Sequence, residues 1–327
     1  MDQLPDRRHD ITTFLAEQQW VSEPFNVSFL AAGEYNENYT VTSPEGTAVF
    51  RINHGTQLNL EDQISYEHTV LQALVPSGVT PRPLRVSPNH RLFPRGVLLM
   101  EFLPGRPLDY QTDVDGAAAC FARVHAVPVT SGGPTSHLVR QLNPVHDILL
   151  ECDSLLSRYP DNPRNNLLPA IRRYFDRVEA LSRGADADFS DEEPCITNTE
   201  VNSGNFRVDG DLVRLVDWEK AVVSYRYQDL GHFVVPTTTL WKTDYRFSEE
   251  ARSRFLASYH RASVAPVPLE VLDLRTQLLE RTILLRAYSW CYMASAEYAA
   301  GARALTNERT KEVINYYLDN IEAFLGV

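Results

Sequence analysis

The 327-residue chain has no run of apolar residues near the roughly 18 a membrane helix needs, and its opening segment, MDQLPDRRHDITTFLAEQQW, lacks the apolar stretch of a signal peptide. These two absences predict a cytoplasmic protein with no membrane partner. Cysteine is scarce. Cys120, Cys152, Cys195 and Cys291 lie far apart, with no Cys-x-x-Cys pair and no Cys/His cluster at zinc spacing. They read as small core residues in a reducing compartment, three of them in apolar-periodic runs. Lysine is scarcer still, at three residues (Lys220, Lys242, Lys311), so arginine carries almost all the positive charge. Positive charge is itself outnumbered. A formal net charge of −12 argues against nucleic acid as a partner, because a phosphate backbone demands a basic face, and biases the molecule toward cationic ligands. No internal repeat is visible.

What is present suffices for a large core. An apolar share of 43% with 10% aromatics excludes disorder, and the length allows one large or two modest domains. The first hundred residues mix periods. DITTFLAEQQW repeats at helical spacing, then FNVSFLAAG, NYTVTS and GTAVFRIN alternate as strands, the last two joined by a Ser43-Pro44-Glu45-Gly46 turn. A helix is expected over LEDQISYEHTVLQALVPSG, ending at Gly78, and a further strand pair ends in GVLLMEFL. Pro104-Gly105-Arg106-Pro107 then breaks the chain and sets the expected boundary between lobes of 1–103 and 104–327. Beyond it helical patterns dominate, separated by the polar loops PVTSGGPTSH, PDNPRN and GADADFSDEEP. One β-like insert interrupts them, CITNTEVNSGNFRVDGDLVRLVDWEKA.

That insert carries the most chemistry. It reads as strand, polar loop, strand, Asp209-Gly210 turn, strand, with Asn205 starting one arm of the hairpin and Asp217 ending the other. Two oxygen-bearing side chains so placed can face one ion, and Mg²⁺ takes a few hard oxygens and completes its shell with phosphates and water. Glu200, five residues before Asn205, lies on the loop beside such an ion. An acid, then an Asn, then an Asp in this order is the arrangement used for phosphoryl transfer by kinases.

At these residues the chain resembles the aminoglycoside phosphotransferase and choline kinase family. The family's loop His-Gly-Asp-Leu-His-x-Gly-Asn, followed by Ile-Asp-Phe/Trp-Glu, is matched here by Asn198-Thr199-Glu200-Val201-Asn202-Ser203-Gly204-Asn205 and Val216-Asp217-Trp218-Glu219. The resemblance implies a protein-kinase-like, two-lobed α+β fold: a small N-lobe with an antiparallel sheet and one main helix, and a larger, mostly helical C-lobe. It implies Asn205 and Asp217 as metal ligands, and ATP or another nucleoside triphosphate with Mg²⁺ as cofactors. It also shows a departure: Asn198 stands for the usual His, and Glu200 for the usual catalytic Asp. Glu200 keeps the carboxylate one methylene further out. This leaves two readings open, catalysis through Glu200 or a nucleotide-binding pseudokinase.

Other segments resemble the same family. Gly33-Glu34-Tyr35-Asn36 through Val41 is similar to its Gly-x-x-Asn-x-x-Tyr-x-Val phosphate loop, which brings in Gly33 and Asn36. Arg51, a lone cation in Val49-Phe50-Arg51-Ile52, takes the place of the family's phosphate-contacting Lys or Arg, and Glu67 that of the helix glutamate paired with it. The structural alternatives are a surface strand position and an exposed helix residue. Residues 96–103 resemble the strand edging the adenine ring, with Glu101 and Leu103 contributing through the backbone. Asp229-Leu230 and Val124-His125 read as scaffold around the catalytic loop. The resemblance further implies that a small-molecule acceptor binds among the C-terminal helices. Trp241, Trp290 and Glu297 are the candidates there, since aromatic faces with acidic neighbours suit an amino sugar or amino alcohol; helix packing is the alternative for the aromatics. The run Pro236-Thr237-Thr238-Thr239 is a candidate cleft lining. A protein kinase is disfavoured, because no Asp-Phe-Gly or Ala-Pro-Glu segment frames an activation loop.

Overall fold

Alternating burial along the first strands decides which residues face the cleft. In the computed structural model, residues 6–33, 35–184, 188–302 and 308–326 are described, so Glu34 of the phosphate loop and residues 185–187 of the third polar loop lie outside them. Strands β1 (Asn26–Ala32), β2 (Asn36–Ser43), β3 (Gly46–Asn53), β4 (Pro83–Ser87) and β5 (Val97–Glu101) form one antiparallel sheet in the order β1-β2-β3-β5-β4. The central β3 is buried on both faces. Phe50 and Ile52 join Ile11, Phe14 and Leu15 of α1 (Arg8–Gln18) in an outer cluster. Val49 joins Leu98, Met100 and residues Ile64, Val70 and Leu71 of α2 (Gln63–Leu74) in an inner one. Period two puts Arg51 on the face of Val49, so this cation points inward and is only 5% exposed. The surface-strand alternative for Arg51 is thereby removed. Helix α2 starts where the Asp62 carboxylate accepts from the Ser65 N–H at 3.0 Å, and a short turn to Gly78 in the left-handed region ends it.

The chain leaves β5 through residues 102–107, and we propose this linker as the boundary between lobes of 1–103 and 104–327. Arg106 exchanges two backbone hydrogen bonds with Val208, at 3.0 and 2.8 Å. Gly105 permits this crossing: its φ is +130°, and a Cβ there would lie 2.6 Å from the Val208 carbonyl oxygen. Gly105→Ala should therefore cost about 1–3 kcal/mol, the usual range for forcing a side chain into such a conformation. The expected result is a melting temperature lowered by several degrees; unchanged melting would mean that the crossing relaxes freely.

The second lobe is mostly helical: α3 (Val114–His125), α4 (Pro144–Ser157), α5 (Leu168–Ser182), α6 (Tyr227–Val234), α7 (Pro236–Thr239), α8 (Glu249–Ala262), α9 (Leu269–Ala299), α10 (Glu308–Asp319) and α11 (Ile321–Leu325). The 31-residue α9 packs against α4, α5, α6, α8 and α10, so it is buried around much of its girth and shows no single apolar stripe. All four cysteines are buried. Two small sheets stand at the cleft: β6 (Cys195–Thr197) pairs with β9 (Val222–Ser224), and β7 (Phe206–Asp209) with β8 (Leu212–Leu215). Here the structure differs from the sequence reading. Asn205 belongs to a 3-10 turn over Ser203–Asn205, and β8 stops at Leu215, short of Asp217. The cause is local: Asp217 adopts φ +66°, which no strand accommodates, and only the Val216 N–H to Asn205 carbonyl bond (2.8 Å) extends the pairing.

Candidate functional site

The inward-facing arginine organises the roof of the cleft. Arg51 Nη1 donates to Glu67 Oε1 at 2.5 Å and to Asp217 Oδ1 at 3.0 Å, and Nε donates to Asn38 Oδ1 at 2.9 Å. Glu67 is 1% exposed and also accepts from the Trp218 N–H at 3.3 Å, so it is not an exposed helix residue. Burial pushes the Glu67 carboxyl up while Arg51 pulls it down. One strand, one helix and the segment after β8 thus meet at a single guanidinium. Two further ties fix that segment: Gln63 Nε2 donates to the Glu219 carbonyl at 2.7 Å, and the Tyr66 hydroxyl to the Ala221 carbonyl at 2.6 Å.

The loop from 198 to 205 is held from below by a buried carboxylate. Asp229 accepts from the backbone N–H groups of Asn198 and Thr199 at 2.9 and 2.8 Å and lies 3.2 Å from His125 Nε2. His125 Nδ1 in turn meets the Tyr259 hydroxyl at 2.9 Å. Asn198 bridges the loop to the segment after β8, with Nδ2 donating to the Asp217 carbonyl at 2.8 Å and Oδ1 accepting from the Glu200 N–H at 3.0 Å. An asparagine thus supplies both a donor and an acceptor at the position where the resemblance leads one to expect histidine. Thr199 takes φ +65°, a conformation that persists only where surrounding bonds over-determine it.

Above this loop three carboxylates converge. Glu200, Asp217 and Glu219 each present an oxygen, all within 4.8 Å of one another. Burial raises the carboxyl of Glu200, with Lys220 opposing and Asp217 adding to the rise. Glu219 is pushed well above the usual carboxylate range by burial and by Asp217 and Glu200. Lys220, buried beneath them, is pulled down to about 8 by burial and by Arg286. Asn205 donates its Nδ2 to the Glu200 carbonyl at 2.7 Å, which leaves Oδ1 as the remaining polar atom of its side chain. A donor set of amide and carboxylate oxygens, with no sulfur or imidazole among the clustered groups, fits a hard divalent cation such as Mg²⁺.

A cavity of about 490 Å³ joins these groups to the second lobe. Of the residues singled out in the sequence, Gly33, Asn36, Arg51, Glu200, Asn205, Asp217, Thr237, Thr238, Trp241 and Trp290 line it. Asn36 is tied down there, Nδ2 donating to Glu219 Oε2 at 2.5 Å and Oδ1 accepting from Asn53 Nδ2 at 3.0 Å. Glu67 stands one layer behind, through Arg51. Glu101, Leu103 and Glu297 do not line the cavity. The Glu101 side chain turns to Arg82 (3.1 Å), and Leu103 is buried in the linker with its N–H free of hydrogen bonds among the described residues. Glu297 accepts from the Tyr159 hydroxyl at 3.1 Å, so the acidic neighbour expected beside the tryptophans is elsewhere. Trp241 and Trp290 meet edge to face at 6.1 Å.

Three contributors escaped the sequence reading. Glu219 follows Asp217 by two residues, and a carboxylate flanking a core tryptophan on its far side was the available signal. Lys220 is one of only three lysines, set in an apolar-periodic stretch. Arg286 on α9 reaches the cavity and donates Nε to Glu151 of α4 at 2.9 Å; sequence alone gives no sign of which way it points.

The family model described as "APH: Phosphotransferase enzyme family" matches residues 26–272. No curated protein matches the sequence. Among solved structures, the Plasmodium vivax ethanolamine kinase is similar at 12% identity with a TM-score of 0.67, covering 98% of this chain and 89% of that one. A choline kinase from Cryptosporidium parvum is similar at 15% identity and TM-score 0.62, covering 98% and 99%. A choline/ethanolamine kinase family protein from Mesorhizobium loti gives 13% and 0.64, covering 96% and 95%. At these identities the likeness is one of fold: kinase-like, with an antiparallel N-lobe sheet and a helical C-lobe. Among the described residues, no helix is long and apolar enough to cross a membrane.

Proposed function

The chain belongs to the phosphotransferase enzyme family, and from that premise we propose that it transfers the γ-phosphoryl group of ATP, with Mg²⁺, to a hydroxyl of a small molecule. One observation carries the reading: Glu200, Asp217 and Glu219 converge within 4.8 Å, directly under the buried Arg51–Glu67 pair. Asn205 and Asp217, joined by Glu219, would hold the metal, which when bound neutralises charge on the β- and γ-phosphate oxygens. Arg51 clamps the phosphates. Its Nη1 and Nε are taken by protein partners, which leaves Nη2 for a phosphate oxygen. The loop at Gly33 covers the nucleotide, and the free N–H of Leu103 suits a purine edge.

In the transfer itself, Glu200 accepts the proton of the acceptor hydroxyl while that oxygen forms its bond to the γ-phosphorus. The bond from the γ-phosphorus to the oxygen bridging it to the β-phosphate breaks, and ADP leaves with the electron pair. The products are ADP, a phosphate monoester and a proton held at Glu200. The cytoplasm, a reducing compartment that suits buried cysteines, is the compartment this reading assigns.

Nucleotide binding is the first test. ATP with Mg²⁺ should raise the melting temperature by mass action, about 2.7 kcal/mol at a hundredfold excess over Kd. Asp217→Ala should abolish the Mg²⁺-dependent part of that rise. Unchanged melting at millimolar ATP would remove the cleft as a working nucleotide site.

A further inference from the structure

The cavity wall formed by residues 237–242 and α9 differs in character from the carboxylate end. Thr237 and Thr238 are each 6% exposed and line the cavity, and their hydroxyls make no hydrogen bond among the described residues. Lys242 lines the cavity too, with neither an ion pair nor a hydrogen bond among the described residues, and its stem lies against Gly204, next to Asn205. Arg286 lines the cavity and holds Glu151 through Nε, and its two terminal nitrogens make no hydrogen bond among the described residues. Trp241 and Trp290 complete this wall. Among the described residues of the wall there is no carboxylate: Glu297, the acid expected there, is engaged by Tyr159 outside the cavity. In a chain of net charge −12, this wall carries one cation without an ion pair among the described residues, a second shared with Glu151, and two hydroxyls without a hydrogen bond, an unusually positive stretch.

The geometry points to an acceptor that carries an anionic group, a carboxylate or phosphate, on an apolar or sugar body, with that group received by Lys242, Arg286 and the Thr237 and Thr238 hydroxyls while its own hydroxyl faces Glu200. This rests on the phosphotransferase reading and narrows its acceptor class. An ammonium-bearing acceptor would meet two cations here and leave the buried hydroxyl donors without an acceptor. A carboxylate satisfies both, and charge-assisted bonds are the strong ones. The tryptophan faces then pack the body of the molecule, a use open to sugars and aromatic rings alike.

Matched probes isolate the charge. Glucuronate, glucose and 6-amino-6-deoxyglucose share one body, as do 3-phenyllactate, 3-phenyllactamide and 1-amino-3-phenylpropan-2-ol, and within each set only the substituent at one carbon changes, from anionic through neutral to cationic. Binding is read on the full chain with ADP and Mg²⁺ by ligand-observed NMR at millimolar probe, and ADP-bound melting is recorded in the same samples. In wild type the acid of at least one set should bind roughly tenfold or more tighter than its ammonium partner. Lys242→Glu, at an exposed position with neither a hydrogen bond nor an ion pair among the described residues, should abolish or reverse that order while leaving the ADP-induced melting shift in place. Wild type that prefers the ammonium probes, shows no order, or binds none of the six overturns the inference. So does a Lys242→Glu variant that keeps the acid preference and loses nucleotide binding, which would assign Lys242 to the nucleotide. A missing ADP shift in wild type is the separate signature of a failed phosphotransferase reading.

Discussion

Glu200→Gln is expected to lower the phosphoryl-transfer rate by about 10²–10⁴-fold, the usual contribution of a positioned general base, with ATP affinity close to wild type. The substitution keeps size and polarity and removes only the group that accepts the proton. If no acceptor is in hand, basal hydrolysis of ATP, with water as acceptor, serves as the readout. The pH profile adds a second check. Burial raises the Glu200 carboxyl, so the ionised base is lost as pH falls through a value above the ordinary glutamate range. The wild-type rate should fall with it, and the glutamine variant should lack that limb. Glu200→Asp tests the length of the side chain. The loop backbone is pinned by Asp229 and Asn198, so it cannot follow a carboxylate withdrawn by one methylene, and a loss is expected here too. A glutamine variant that matches wild type on an accepted substrate would mean that the Glu200 carboxylate has no chemical role and that a different base serves.

The residues legible from sequence are those whose chemistry conflicts with their surroundings. Arg51 is a cation inside an apolar strand, and period two alone fixes its face once β3 is known to be central. Asn205 and Asp217 flank a hairpin, so their proximity follows from local pairing even though the strands end earlier than the pattern suggests; a left-handed aspartate leaves no trace in an apolar alternation. The two-lobed fold was what the family resemblance implied; the switch from mixed to helical periods near residue 104 set only the expected boundary between the lobes. What stayed hidden depends on long-range packing. Arg286 lies on a helix buried around much of its girth, so no stripe says that it reaches the cleft, although Trp290 on the same helix was a candidate and does line the cavity. Glu297, one helix repeat further along, was expected beside the tryptophans and pairs with Tyr159 instead, because seven residues along a helix share a face but not a level. Glu219 was in view as part of the Asp217 segment, yet its part emerges only when Asn36 arrives from the other lobe to hold it.

Replacing Arg51 by alanine should damage the protein twice, and the two effects separate. Among the described residues Arg51 is the only cation in direct contact with Glu67, itself 1% exposed, and it also holds Asp217. Without it two carboxylates face each other across a buried space, and breaking such a pair from one side typically costs about 3–5 kcal/mol. A melting temperature lowered by many degrees is the first expected result. The second is a loss of ATP affinity of roughly tenfold or more, from the removal of a charge-assisted contact to phosphate. Glu67→Gln distinguishes the two. It leaves Arg51 in place without its strongest partner, so stability falls while the guanidinium that would meet the phosphates remains. Arg51→Lys keeps the charge without the fork that spans Asn38, Glu67 and Asp217, and should retain part of both properties. Because the lysine variant preserves the buried charge balance, it also remains measurable if the alanine variant fails to fold. Full ATP affinity in the lysine and alanine variants alike would mean that Arg51 only braces Glu67 and Asp217, and that the phosphates are held by the backbone of the Gly33 loop.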